Sequence, residues 1–331
     1  MISRVFLSTV NWDHPQAGII HAFAKVFGGA NIAHFDFLQE QRDGRSIQEV
    51  NDRFVVAARA WNPEWLFMQV QESNVIQATS IARLKQALPK CAISHWMGDC
   101  RVNVSPYLAS ICREAHLTLI SSVGQTGLYM AAGAKEVRYL QIGLDWDEDV
   151  LGIPPWTPPF RVPDVVFCGS YYKDLYPGTV DRVNGVMAIK NAGIDIGIVG
   201  NGWPPGFPVV GTCQVKQQHH VWKRCKVAVG INHFRTIQNY YSDRNLIAMA
   251  SGRPLVCQYI PGLEGEFENN RHCMWYYDEA ELVQHVRKLL GDPGLAQRIG
   301  QAGREEVIKN HTWEARIKDV LPDIERIRRT L

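Results

Sequence analysis

The chain has 331 residues, 46% hydrophobic and 21% charged, enough apolar material for two domain cores at roughly 150 residues each. Lys and Arg total 35 against 33 Asp and Glu, and a net charge of +2 argues against a protein that coats nucleic acid by charge alone. No window approaches about 18 uninterrupted apolar residues, which argues against a membrane span, and the apolar run up to Val10 is too short for a signal peptide.

The eight cysteines are scattered and no two are spaced C-x-x-C, so they read as reduced thiols of a cytoplasmic protein. In chain order, short apolar runs alternate with helical stretches, the pattern of α/β units on a parallel sheet. Strands are expected at Val5 to Val10, Asn31 to Phe37, Trp65 to Val70, Cys91 to Trp96, His116 to Ser121 and Val137 to Leu140. Helices are expected between them at Ala17 to Phe27, Ile47 to Ala60, Ile76 to Ala87, Pro106 to Glu114 and Thr126 to Ala132. Five prolines between Pro154 and Pro163 bar regular structure there, so 1–150 reads as a first domain and 151–163 as a linker.

The alternation then restarts over 164–312, with strands at Val165 to Cys168, Ile194 to Val199, Val227 to Ile231, Pro254 to Cys257 and Cys273 to Tyr276. Helices fall at Thr179 to Asn191, Gln218 to Cys225, Asp243 to Ala250, Glu279 to Leu290 and Ala296 to Asn310, with a closing helix over 313–331 expected to turn back to the first domain. Two Rossmann-like halves of this kind leave a ligand cleft at the carboxyl ends of their strands.

The P-loop, G-x-G-x-x-G and G-x-S-x-G signatures are absent. The informative segment runs from Asn239 to Val256. Ser242 is a suitable N-cap, Asp243 complements the helix dipole, and Gly252 with Pro254 ends the helix. Such a helix start presents N–H groups to an anion, and Arg244 adds a bidentate donor. With Pro261-Gly262-Leu263-Glu264, Trp275 to Leu282, Arg298 to Arg304 and His311-Thr312-Trp313, this segment resembles the C-terminal half of GT-B glycosyltransferases, most closely the CgeB-like (spore-maturation-protein-like) group. The resemblance covers 163–320 well and the first half loosely, through Gly18 and Val137 to Asp145.

The resemblance implies a GT-B fold and a nucleoside-diphosphate sugar, a UDP-sugar foremost, bound as substrate with no cofactor and no metal. Gly18, Gly169, Ser170 and Lys173 would lie toward the donor, with Lys173 as a charge clamp. Gly200, Asn201, Gly202 and Trp203 would border the base. Ser242, Asp243, Arg244 and Asn245 would face diphosphate and ribose, with Gly262, Leu263 and Glu264 close by. Related enzymes carry a ribose-binding glutamate where this chain has Ile247 and a partner glutamate where it has Asn239, so ribose recognition would move to Asp243 or Glu264.

On the acceptor side, Asp13 and His14 after the first strand, and His95 and Asp99 after the fourth, are candidates for the base that takes an acceptor proton. Asp145-Trp146-Asp147 reads as a solvated acidic loop, and His219, His220 and His233 are too dispersed for a metal site. An epimerase or hydrolase on the same fold, or a catalytically inactive nucleotide or glycan binder, stands as the alternative. Glycan, small molecule and modified nucleic acid all stand open as acceptor.

Overall fold

A computed structural model of the chain describes residues 2–11, 17–145 and 156–331. It contains two compact units. One joins the residues up to Ile142 with Trp313–Leu331, and the other spans Gly143–Thr312.

The first unit is built on six parallel strands: β1 (Val5–Thr9), β2 (Ile32–His34), β3 (Trp65–Gln69), β4 (Ala92–Met97), β5 (Leu117–Ile120) and β6 (Val137–Tyr139), in the order β2-β1-β3-β4-β5-β6. Period-two alternation splits each strand between two faces. Val5, Leu7, Trp65, Phe67, Ala92 and Trp96 face helices α1 (Ala17–Phe27) and α12 (Trp313–Thr330). Phe6, Leu66, Met68 and Ile93 face the opposite core, which takes Val50, Phe54 and Ala58 from α3 (Ile47–Trp61) and Ile81 and Leu84 from α4 (Ala78–Ala87).

Helix α12 belongs to this unit because Trp313, Ile317, Val320, Ile324 and Ile327 recur at helical spacing and are all buried on its sheet. Trp313 meets Trp96 edge to face at 4.8 Å, and Arg138 pairs with Asp323 at 2.7 Å.

One expected strand is shorter than its sequence reading. Only Ile32–His34 is extended, because the Asp36 carboxylate caps Gln39 N–H and starts α2 (Phe37–Arg42). The remaining helices of this unit are α5 (Pro106–Glu114), capped by Ser105, and α6 (Thr126–Ala131).

The second unit holds β7 (Val165–Cys168), β8 (Ile196–Val199), β9 (Val209–Gly211), β10 (Val227–Gly230), β11 (Leu255–Gln258) and β12 (Met274–Tyr276), in the order β12-β11-β10-β7-β8-β9. Its pairings are also parallel. Its helices are α7 (Thr179–Asn191), α8 (Gln218–Trp222), α9 (Asp243–Ala250), α10 (Glu279–Gly291) and α11 (Pro293–Asn310). Val165, Phe167, Ile198, Val229, Val256 and Met274 pack beneath Val186 and Ile189 of α7 and Leu282, Val286 and Leu289 of α10. Of the expected linker, 151–155 lies outside the described residues, and 156–163 forms neither helix nor strand. No helix among the described residues is long and apolar enough to cross a membrane.

Candidate active site

In the second unit the chain enters the sheet at β7, builds outward through β8 and β9, then returns to lay β10 on the other side of β7. The connections leaving the carboxyl ends of β7 and β10 diverge. At that switch point open α/β sheets bind their ligands.

A buried cation sits there. Arg182, on the first turns of α7, is 1% exposed. Its Nη1 donates to Ser170 O at 2.8 Å, after β7, and its Nε donates to Ile231 O at 3.3 Å, after β10. The guanidinium also lies 5.5 Å from the centre of the Phe167 ring. No carboxylate among the described residues reaches salt-bridge distance of it. Burial, reinforced by the charge of Arg244, lowers its pKa to about 9, so it stays cationic at neutral pH against a desolvation penalty. A cation held this way is matched by an anionic ligand. The sequence carried a signal for it: Arg182, Val186 and Ile189 share one helical stripe, and a charge on an otherwise apolar stripe is informative.

The loops after β7 and β8 lock onto each other. Gly169 N–H donates to Val199 O at 3.0 Å and Tyr171 N–H to Asn201 O at 2.8 Å. The Ser170 hydroxyl accepts Asn201 N–H at 3.3 Å. Gly200 has no room for a side chain, since a Cβ there would lie 2.1 Å from Gly169 O. Trp203, expected to border a base, donates Nε1–H to Gly169 O at 2.8 Å and packs its ring against Tyr171 and Phe207. It is half-buried and braces the loop pair. Gly202 packs against Tyr171 O, and Lys173 is exposed at the start of a 3-10 turn.

The start of α9 differs from the sequence expectation in one respect. Ser242 is the N-cap, but its hydroxyl and the Asp243 carboxylate both accept from Arg244 N–H, at 3.4 and 2.9 Å. Asn245 N–H is taken by Ser242 O at 3.0 Å, and Ser242 N–H by Asn232 Oδ1 at 3.3 Å. The helix therefore spends the Arg244 and Asn245 amides on its own cap, and the Arg244 side chain adds a positive charge there. That guanidinium is part-exposed, 3.9 Å from Asp243 Oδ1. Asn245 is buried with its amide oxygen against Gly230, and Ile247 is buried in the core.

Asn239 and Gly262 are tied together. Gly262 has φ 88°, a left-handed conformation that favours glycine, and a Cβ would fall 2.3 Å from Asn239 Oδ1. Asn239 Nδ2 donates to Gly262 O at 3.0 Å. Leu263 is buried, and Glu264 accepts the Tyr259 hydroxyl proton at 3.0 Å on the surface. Sequence reasoning missed Glu266, which accepts from the Tyr241 hydroxyl at 2.7 Å and lies 3.5 Å from His311 Nδ1. This clasp fixes the segment leading into Ser242.

In the first unit, Asp13 and His14 lie outside the described residues, and Gly18 occupies the first turn of α1. His95 is corrected. It lies within β4, and alternation turns it with Ile93 and Met97 into the apolar core, fully buried. Burial pushes its imidazole down to about 4. Asp99 sits beyond the strand end, largely exposed and 3.5 Å from Arg101 Nη2. Trp146 and Asp147 lie outside the described residues. Among the described residues no group of three or more His, Cys, Asp and Glu side chains is gathered as a metal site.

Residues 182–322 match the family described as glycosyl transferase-like, a match that begins at Arg182. No curated protein matches the chain by sequence. Among solved structures, a glycosyltransferase from Rickettsia africae ESF-5 superposes with TM-score 0.65 at 14% identity, covering 98% of each chain. HepE from Anabaena in complex with UDP-glucose superposes with TM-score 0.60 at 12% identity, over 97% of this chain and 99% of that one. Sucrose-phosphate synthase from Thermosynechococcus elongatus gives 0.59 at 14%, over 99% and 100%. The two parallel sheets and the family segment together make this chain an α/β protein of the GT-B fold and an enzyme of the glycosyltransferase class.

Proposed function

We propose that the chain transfers a hexosyl group from a nucleoside-diphosphate sugar, a UDP-sugar first among them, to an acceptor hydroxyl without a bound metal. Arg182 carries this reading: a buried guanidinium with no carboxylate in reach among the described residues, at the carboxyl edge where β7 and β10 part. As the glycosidic bond breaks, negative charge gathers on the departing diphosphate. Arg182 and Arg244 meet that charge with fixed positive groups, a preorganised stabilisation that needs no metal. HepE, solved with UDP-glucose, supports the choice of donor.

Gly169, Ser170, Lys173, Gly200, Asn201, Gly202 and Trp203 frame the base-side loops. Asp243, Asn245, Gly262, Leu263 and Glu264 line the ribose side, where the exposed Glu264 replaces the glutamate lost at Ile247. Asp99 in the first unit is the described candidate for acceptor binding. The eight free cysteines support a reducing, cytoplasmic setting.

A second reading, a nucleotide binder without transfer, is favoured by Asn239 and Ile247, which occupy the two glutamate positions as a backbone tie and a core side chain. Calorimetry with UDP, GDP and UDP-glucose, followed by UDP-glucose turnover with and without EDTA, separates the two. UDP binding with chelator-resistant turnover supports transfer. Binding without turnover against an acceptor panel supports the binder, and a rate abolished by EDTA and restored by Mg²⁺ overturns metal independence.

A further inference from the structure

The loop leaving β10 carries His233, for which the donor reading has no role. Its ring lies against Tyr172 at 5.4 Å and Tyr176 at 4.6 Å between ring centres. Both ring nitrogens are buried and neither has a hydrogen-bond partner among the described residues. The backbone around it is pinned. His233 O accepts Gly178 N–H at 2.8 Å, at the N-cap of the helix that carries Arg182. The preceding Asn232 is 2% exposed, and its amide nitrogen is likewise buried and unpartnered. Buried polar atoms in native folds find partners, so three such atoms on adjacent residues at a switch point mark a place for a ligand with acceptor oxygens.

The charges facing His233 agree. Arg182 on α7 and Arg244 on α9 both act on it, Tyr172 and Tyr176 face it with their rings, and the nearby Arg235 pairs with Asp181 at 3.6 Å. Burial first, then the two guanidinium groups, hold the imidazole down at about 3, so the free chain carries it neutral. An anion between the two arginines cancels their repulsion and favours the imidazolium.

We infer that His233 is a proton-coupled binding residue for the diphosphate, taking up one proton from solvent as the anion enters and donating a hydrogen bond to a phosphate oxygen. The inference rests on the donor reading. It makes donor affinity depend on pH. Between the free and bound pKa values of His233 one proton enters with each ligand, and affinity strengthens up to about tenfold for each pH unit lowered. Above the bound value uptake ceases.

The test titrates the full chain with UDP-glucose, whose diphosphate diester has no group titrating near neutrality. Calorimetry in buffers of differing ionisation enthalpy, between about pH 5.5 and about pH 8, spans the range in which a histidine changes charge. The wild type is expected to take up close to one proton at the acid end and none at the alkaline end. His233→Gln, and His233→Phe, which keeps an aromatic ring between the two tyrosines, are expected to bind without uptake and without the pH dependence. Wild-type binding with no uptake, or uptake unchanged in both variants, overturns the role of His233. Failure of the wild type to bind UDP-glucose, UDP or inorganic pyrophosphate overturns the donor reading itself, and this inference with it.

Discussion

Replacing Arg182 by methionine sets two terms of similar size against each other. In the free chain the guanidinium is held from its usual value down to about 9, three to four factors of ten. At about 1.4 kcal/mol per factor, the charged form costs the fold on the order of 5 kcal/mol. Below about pH 9 the folded chain carries the charge and the whole cost is present; between that value and the unfolded pKa it is relieved as pH rises. Methionine removes this cost but leaves Ser170 O and Ile231 O without their donors, at roughly 1–3 kcal/mol each. The expected change in stability of the free variant at neutral pH is therefore small, within about 3 kcal/mol of zero. Ligand response should change far more. At UDP about 100-fold above Kd the wild type gains about 2.7 kcal/mol. Losing a desolvated charge contact of about 3 kcal/mol weakens UDP by roughly 100-fold and removes most of that gain. Thermal unfolding by circular dichroism, with and without UDP, reads both quantities, and Arg182→Lys keeps a charge without the two-carbonyl fork. A methionine variant that retains the full UDP-dependent stabilisation would refute the placement of the diphosphate at Arg182. A variant that no longer folds while Arg182→Lys folds and binds normally would assign Arg182 to structure alone.

Arg244→Ala removes a part-exposed guanidinium that lies 3.9 Å from the Asp243 carboxylate, so stability should move by no more than about 0.5 kcal/mol while UDP affinity falls at least about tenfold. An unchanged Kd in calorimetry removes Arg244 from the site. Gly200→Ala forces a methyl group to within 2.1 Å of Gly169 O, and separating the two loops should cost about 1–3 kcal/mol or more in denaturant unfolding and weaken UDP. Native stability with native affinity would show that the loop pair yields freely.

What was legible in the sequence was local. Ser46 with Glu49, Ser105 before Pro106, Asp278 and Asp292 before Pro293 cap helices through side chains a few residues away, and the sequence spells out such contacts. Ser242 caps α9 for the same reason. The apolar stripe of the closing helix was equally plain. His95 was misplaced although the expected strand, Cys91 to Trp96, already contained it: alternation inside the strand turns it with Ile93 and Met97 into the core.

Most strands and several helix starts were therefore legible from residue type and spacing; β9 and α2 were not, and the missing ribose glutamates were legible only through the resemblance to GT-B glycosyltransferases. Tertiary structure decided which polar groups are stranded. Arg182 and His233 stand 51 positions apart (233 less 182), on a helix and a loop that meet only when β10 pairs beside β7. The loss of hydration at both, and the field of Arg182 that disfavours a charge on His233, exist only after that pairing. Likewise, the Ser242 amide is taken by Asn232 from the loop after β10, while the Arg244 amide is taken within its own turn by Asp243. The anion site is consequently a matter of side chains brought together by the sheet, since hydrogen bonds within one turn are set by near neighbours and the burial of charge by distant ones.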